Sequence, residues 1–156
     1  MTFSQKTDMP QKTDMAKTPA LPRNDPKAIA LVLAETKTIA LVGASKHAWR
    51  DSNRVMKFLV DRGYTVYPVN PMLAGQSIHG MQVYGSLADI PAAIDMVDVF
   101  RNSEAAGEVC RDAIKIGAKS LWMQLGVINE DGARLAEAAG LTVVMDRCPM
   151  IELSPR

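Results

Sequence analysis

Apolar residues in this chain fall into short runs separated by polar stretches that end on glycine or proline. The run Thr38-Ile39-Ala40-Leu41-Val42 closes on Gly43-Ala44-Ser45. After a polar loop from Lys46 to Ser52, Asn53-Arg54-Val55-Met56-Lys57-Phe58-Leu59-Val60 carries apolar residues at helical spacing. An unbroken β-branched and apolar run suits a parallel strand covered on both faces. Helical periodicity after a glycine turn completes a strand–turn–helix unit. The glycine lets the backbone turn and approach a ligand with no Cβ in the way. The N-terminus of the following helix offers unpaired N–H groups and a positive dipole end to a phosphate.

The same rhythm recurs downstream. Arg62-Gly63 reads as a helix end, Tyr64 to Val69 as a second strand stopped by Asn70-Pro71, and Gln82-Val83-Tyr84 as a short third strand. Leu87 to Pro91 reads as a brief helical turn carrying the chain across the sheet, followed by a fourth strand from Asp95 to Phe100. A helix is predicted over residues 103–116, with Ser103 as its N-cap and Gly117 just past its end. Its apolar face is Ala106, Val109, Cys110, Ala113 and Ile114. Lys119 to Gly126 is the fifth strand with its turn. A helix then spans about residues 130–139, and Leu141 to Met145 is the last strand before Asp146-Arg147-Cys148-Pro149 turns away. Upstream, a helix begins near Pro26 with Asn24 or Asp25 as its cap and packs on one edge of the sheet as a lid.

Five or six parallel strands joined by helices make a Rossmann-like, doubly wound α/β domain, with expected order 3-2-1-4-5-6. Residues 1 to about 23 stand apart. They are polar, contain Pro10, Pro19 and Pro22, and repeat Gln5-Lys6-Thr7-Asp8-Met9 as Gln11-Lys12-Thr13-Asp14-Met15. Such a segment buries too little apolar surface to offset its ordering entropy and is expected to be a flexible tail. Residues 24–156 then form one domain.

Composition narrows the partners. A formal charge of +1 over 156 residues gives no general attraction to nucleic acid or anionic membrane. No apolar stretch reaches the ~18 residues of a membrane span, and the N-terminus has no secretory h-region, so a cytoplasmic protein is expected. Cys110 and Cys148 are too few for a disulfide framework, and His47 and His79 complete no metal-ligand spacing with them, so no metal is expected. Cys148 reads as a structural thiol, Cys110 as a helix-face core residue, and Met56, Met96, Met123 and Met145 as core filler. Trp49 is read as loop packing ahead of stacking on a base.

Ligands of doubly wound sheets bind beyond the C-terminal strand ends, where strand order reverses. Those ends are Gly43-Ala44-Ser45, Val69-Asn70-Pro71, Phe100-Arg101-Asn102, Gln124-Leu125-Gly126 and Cys148-Pro149, with cations at Lys46, Arg50, Arg54 and Arg101. Amides, hydroxyls and cations suit phosphates and an adenine ring. Carboxylates are scarce, and no pair is poised for acid–base work. A nicotinamide dinucleotide is disfavoured, because GxGxxG is absent and Asn70-Pro71 stands where an acid would hold the ribose.

From about Asn24 to Arg156, some five-sixths of the chain, the sequence resembles the small CoA-binding protein family. It is similar more distantly to the N-terminal CoA-binding domain of the succinyl-CoA synthetase α subunit and of NDP-forming acyl-CoA synthetases. The resemblance is carried by residues 38–45, 63–71, 83–91, 97–101, 117–126 and 144–148. It implies that Gly43, Ala44, Ser45 and Lys46 lie along the pyrophosphate of CoA, and that Val69, Asn70 and Pro71 wall the adenosine. Phe100, Arg101, Gln124 and Leu125 fall where the pantetheine arm leaves the pocket. Met72 stands where many relatives carry a basic residue, so Lys46, Arg50 or Arg54 would have to meet the 3′-phosphate; Met150 replaces a common lysine. The implied function is non-catalytic binding of CoA or acyl-CoA, since the synthetases' phosphohistidine and ATP-grasp modules have no counterpart here. Three other readings remain open: an NAD(P)-binding oxidoreductase-type domain, a regulatory module that docks a partner through its tail, and a CoA-dependent transferase using Cys148.

Overall fold

The computed structural model describes residues 21–154. Five parallel strands form one sheet in the order β2-β1-β5-β6-β7: β1 (Thr38–Val42), β2 (Thr65–Val69), β5 (Met96–Val99), β6 (Ser120–Met123) and β7 (Thr142–Met145). The register runs Val42 beside Val69 on one side and Val99 on the other, then Val99 beside Met123 and Met123 beside Met145. The C-terminal residues of all five strands therefore finish level, along one edge.

Alternation along the strands divides the core into two layers. On one face Ala40, Val97, Leu121 and Val143 meet Ala106, Val109, Cys110 and Ala113 of α3 (Ser103–Lys115) and Ala133 and Ala136 of α4 (Glu130–Ala138). On the other face Ile39, Leu41, Met96, Trp122 and Val144 meet α1 (Pro26–Glu35) and α2 (Asp51–Asp61). A short α5 (Pro149–Leu153) adds Met150 and Leu153 to that second layer. Of the methionines expected as core filler, Met56 and Met96 are buried in this layer and Met123 and Met145 in the other.

The strand order matches the sequence-based expectation with one reduction. The third strand does not form as a full member of the sheet. The segment makes a small antiparallel hairpin, β3 (Ser77–Ile78) with β4 (Met81–Gln82), and pairs with the sheet only through a parallel bridge between Val69 and Tyr84. Gly75 and Gly80 at positive φ turn the chain too tightly for a longer strand to align with β2. Three further boundaries are corrected. Asn102, not Ser103, caps α3, its Oδ1 accepting from the Ala105 amide. Helix α2 begins at Asp51 rather than Asn53, and α5 continues the chain where only a turn was expected.

Helix α1 is capped by Asp25 and lies beside β7. Asn24 explains that placement: its amide donates to the Met145 carbonyl at 2.8 Å and accepts the Met145 amide at 2.9 Å. One side chain thus completes the exposed edge of β7 as a strand residue would. Arg23 adds a forked pairing to Glu137 and a bond to Glu130 of α4. Of the expected tail, residues 1–20 lie outside the described residues, while Arg23 is already tied to the domain.

At the N-terminal ends of the strands, just before the central strand β5, Asp95 gathers the start of β1. Its carboxylate accepts from the Lys37 and Thr38 amides, while its own amide donates to the Thr38 hydroxyl. Burial pushes this carboxyl up, but those amides and the Lys119 ammonium outweigh it and hold the carboxyl below the usual range.

Asp98 is the opposite case. It is wholly buried in β5, level with Leu41 and Trp122, and neither oxygen has a hydrogen-bond partner. Burial pushes its carboxyl well above the usual range, so the neutral acid is the form this core accommodates. A folded-state value above the unfolded one means that stability is fully present below the unfolded value of about 4 and declines as pH rises from there towards the folded value. Urea unfolding from pH 4 to 8 checks this. The wild type loses stability relative to Asp98→Asn as pH climbs, whereas parallel curves would contradict the assignment.

Candidate functional site

The cleft begins with the turn after β1. Gly43 has φ +93°, and a Cβ placed there would lie 2.3 Å from the carbonyl oxygen of Phe100. Only glycine meets both demands. The Gly43 and Ala44 amides donate to the Val69 carbonyl at 3.0 and 3.2 Å, so they bind the end of β2 rather than facing the cleft. The loop that follows is held from three sides. Asn53 donates to the Ser45 carbonyl, Ser45 Oγ accepts the His47 amide, and Arg54 donates to the Trp49 carbonyl. Asn53 is in turn bonded through Oδ1 to His79 Nε2 at 2.9 Å, which ties the loop to the β3–β4 hairpin. His47 and Trp49 stack at 4.3 Å with 19° between their rings, leaving Trp49 70% exposed.

Helix α2 then starts with no side chain capping it, because Arg50 occupies the N-cap position. The Asn53 amide is bonded to the Arg50 carbonyl, while Asp51 and Ser52 before it line the cleft beside Ser45 and Lys46, a helix start suited to an anion. Among the described residues, Lys46, Arg50 and Arg101 have no ion-pair partner, whereas Arg54 is paired with Asp51.

The second wall comes from Asn70. Its Nδ2 donates to the Ala44 carbonyl at 2.8 Å and its Oδ1 accepts the Met72 amide at 2.8 Å. Asn70 therefore locks the β1 and β2 loops together and caps the short 3₁₀ turn Pro71–Leu73. That turn sets Met72, 85% exposed, at the rim.

Between these walls lies a cavity of about 740 Å³, lined by eight of the residues singled out in the sequence: Gly43, Ala44, Ser45, Lys46, Arg50, Asn70, Phe100 and Arg101. A second cavity of about 360 Å³ adjoins it through Asp51, Phe100 and Arg101, and takes in Arg54, Gln124 and Leu125. Val69 and Pro71 line neither. Val69 is buried with its carbonyl spent on the Gly43 turn, and Pro71 starts the 3₁₀ turn behind Met72. Sequence reasoning did not single out Ser52, Leu73, Val55, Val127 or Ile151, which line the two cavities. Nothing in their spacing distinguishes them from core or surface apolar positions. Among the described residues no group of three or more His, Cys, Asp or Glu side chains could hold a metal ion. No described helix is long and apolar enough to cross a membrane.

A doubly wound parallel sheet with a cation-rimmed cleft above the junction of β1, β2 and β5 is a Rossmann-like α/β domain. Residues 37–154 match the family model described as a CoA binding domain, and the chain belongs to that family. The uncharacterized protein YneT of Bacillus subtilis is 37% identical over 127 residues, which cover 81% of this chain and 93% of that protein. A solved hypothetical protein from Pyrococcus horikoshii is 39% identical, with a TM-score of 0.79 over 86% of this chain and 96% of its own. The acetate–CoA ligase (ADP-forming) of Methanocaldococcus jannaschii is 30% identical over 96 residues, 62% of this chain but 13% of the ligase.

Replacing Gly43 by alanine combines a disfavoured positive φ with a collision against backbone that cannot swing aside. The expected cost is about 2 kcal/mol or more, lowering Tm by roughly 4–8 °C. Thermal denaturation of Gly43→Ala measures it, and an unchanged Tm would contradict the close approach.

Proposed function

We propose that this protein binds CoA or acyl-CoA without catalysing a reaction on it. The observation that carries the reading is the two-part cleft. A larger cavity offers helix N–H groups and the side chains of Lys46, Arg50 and Arg101, as a pyrophosphate and a 3′-phosphate require. The smaller cavity beside it is mainly apolar, as the thiol end of the molecule requires. Family membership supports the same ligand.

On this reading Ser45, Lys46 and the first turn of α2 carry the pyrophosphate, with Arg50 and Arg101 available to the remaining phosphate. Trp49 and Met72 supply exposed apolar surface to the adenine. Asn70 acts by pinning both loops, since both ends of its amide are already bonded. A dehydrogenase cofactor fits less well, because no carboxylate stands at the end of β2 to hold a ribose. Non-catalytic binding follows from the scarcity of reactive pairs: the one carboxylate on the cleft, Asp51, is held by Arg54, and Cys148 lies buried with no histidine on the cavity wall.

Isothermal titration calorimetry of the full chain with CoA, 3′-dephospho-CoA and NAD tests this. CoA binds saturably, and removing the 3′-phosphate weakens binding about 10-fold or more, the worth of one hydrogen bond to a charged group at ~1.5–3 kcal/mol. NAD binds more weakly than either. NAD binding ahead of CoA, or no binding of any nucleotide, would overturn the reading.

A further inference from the structure

Strands β3 and β4 pair Ser77 with Gln82 and Ile78 with Met81, so the turn between them is the dipeptide His79-Gly80. Both turn residues lie at positive φ, 49° and 80°, the pattern of a type I′ turn. That turn favours Asn, Asp or Gly at its first position, and a larger side chain is held there at a conformational cost. The imidazole at position 79 reaches out of the hairpin to α2. Its Nε2 lies 2.9 Å from Asn53 Oδ1 and 3.1 Å from the Asn53 carbonyl oxygen. Asn53 Nδ2 donates to the Ser45 carbonyl at 2.8 Å, so the end of the amide that faces His79 is the oxygen. Nε2 therefore meets two acceptors, and it carries the proton.

We propose that His79 is a positioning residue for anion binding in the cleft, acting through Asn53. The assignment rests on the CoA reading above and adds the side chain that sets the loop beneath the diphosphate. Asn53 is 6% exposed, and the two ends of its amide are alike in shape, so only their partners fix which end faces Ser45. With the His79 N–H on Oδ1, Nδ2 points at the Ser45 carbonyl. Without that donor Oδ1 is left buried and unpaired, the amide is free to turn, and the Ser45 carbonyl loses its partner. The consequence falls on the anion. The Ala44 and Ser45 carbonyl oxygens accept from Asn70 Nδ2 and Asn53 Nδ2, at 2.8 Å each. Two successive carbonyls beside the cleft are thereby withdrawn from it, and a phosphate at Ser45 and Lys46 meets donors and positive charge instead of oxygen lone pairs. Asn70 does this from the end of β2, and His79 does it from the hairpin by way of Asn53. His79 itself lines neither cavity, so it acts without touching the ligand.

Calorimetry of the full chain with CoA, run beside thermal denaturation, tests the assignment. His79→Asn suits the turn but ends short of Asn53. It leaves Tm unchanged or raised and weakens CoA binding about five- to ten-fold, the worth of one hydrogen bond. His79→Gln, whose amide N–H reaches as far as the imidazole, recovers most of that affinity. Added to Asn53→Ala, which already frees the Ser45 carbonyl, His79→Asn weakens binding no further. Unchanged affinity in His79→Asn, a loss that His79→Gln does not restore, or a full additional loss beside Asn53→Ala would overturn the positioning role and leave the CoA reading intact. A Tm that falls together with the affinity in His79→Asn would overturn it too, because the hairpin would then merely hold the fold. Failure of the wild type to bind CoA would overturn the CoA reading itself.

Discussion

The near-contact of the Gly43 backbone with the Phe100 carbonyl is the constraint on which the cleft depends. It occurs where β1 lies between β2 and β5, so the chain leaving β1 has almost no room before it must turn. A side chain at position 43 would push the β1 loop away from β5 and pull its amides off the Val69 carbonyl. With glycine there, the turn is bonded to β2 through Val69 and stands against β5 through Phe100. Both walls of the cleft are thereby referred to one residue.

Other interactions carry that rigidity outward. Asn70 spends both ends of its amide between the β1 and β2 loops, and Asn53 with His79 ties the loop before α2 to the β3–β4 hairpin. These side chains are polar because each replaces a backbone partner that an irregular loop lacks. What they leave uncommitted is the surface on which the proposed ligand would sit: the start of α2 at Asp51 and Ser52, three cations without ion-pair partners among the described residues, and exposed apolar side chains at the rim. The pattern accords with a preformed pocket for a ligand that is anionic at one end and apolar at the other.

Much of this was legible in the sequence. The apolar runs at 38–42, 65–69, 120–123 and 142–145, and the run at 96–99 interrupted by Asp98, have the character of two-faced burial, and glycines at 63, 117 and 140 end helices at positive φ as their positions suggested. The third strand was the weak point. Gln82 to Tyr84 has strand composition, but local turns at Gly75 and Gly80 commit the segment to a hairpin before it can pair along β2. At the cleft, the glycine turn, the β2 end and the cations could be found from topology alone. The second roles of Asn70 and Val69 could not, because they depend on which carbonyl a loop amide meets. Likewise Val55 and Ile151 differ from ordinary apolar residues only by which cavity they face, and the position of α5 decides that.

A crystal structure of the full chain with CoA bound tests the account most directly. The account predicts the diphosphate at Ser45, Lys46 and the start of α2, with the adenosine beside Asn70 and Met72 and the sulfur end turned past Phe100 towards Gln124. A cleft that stays empty at saturating ligand, or a nucleotide seated elsewhere on the molecule, would contradict it.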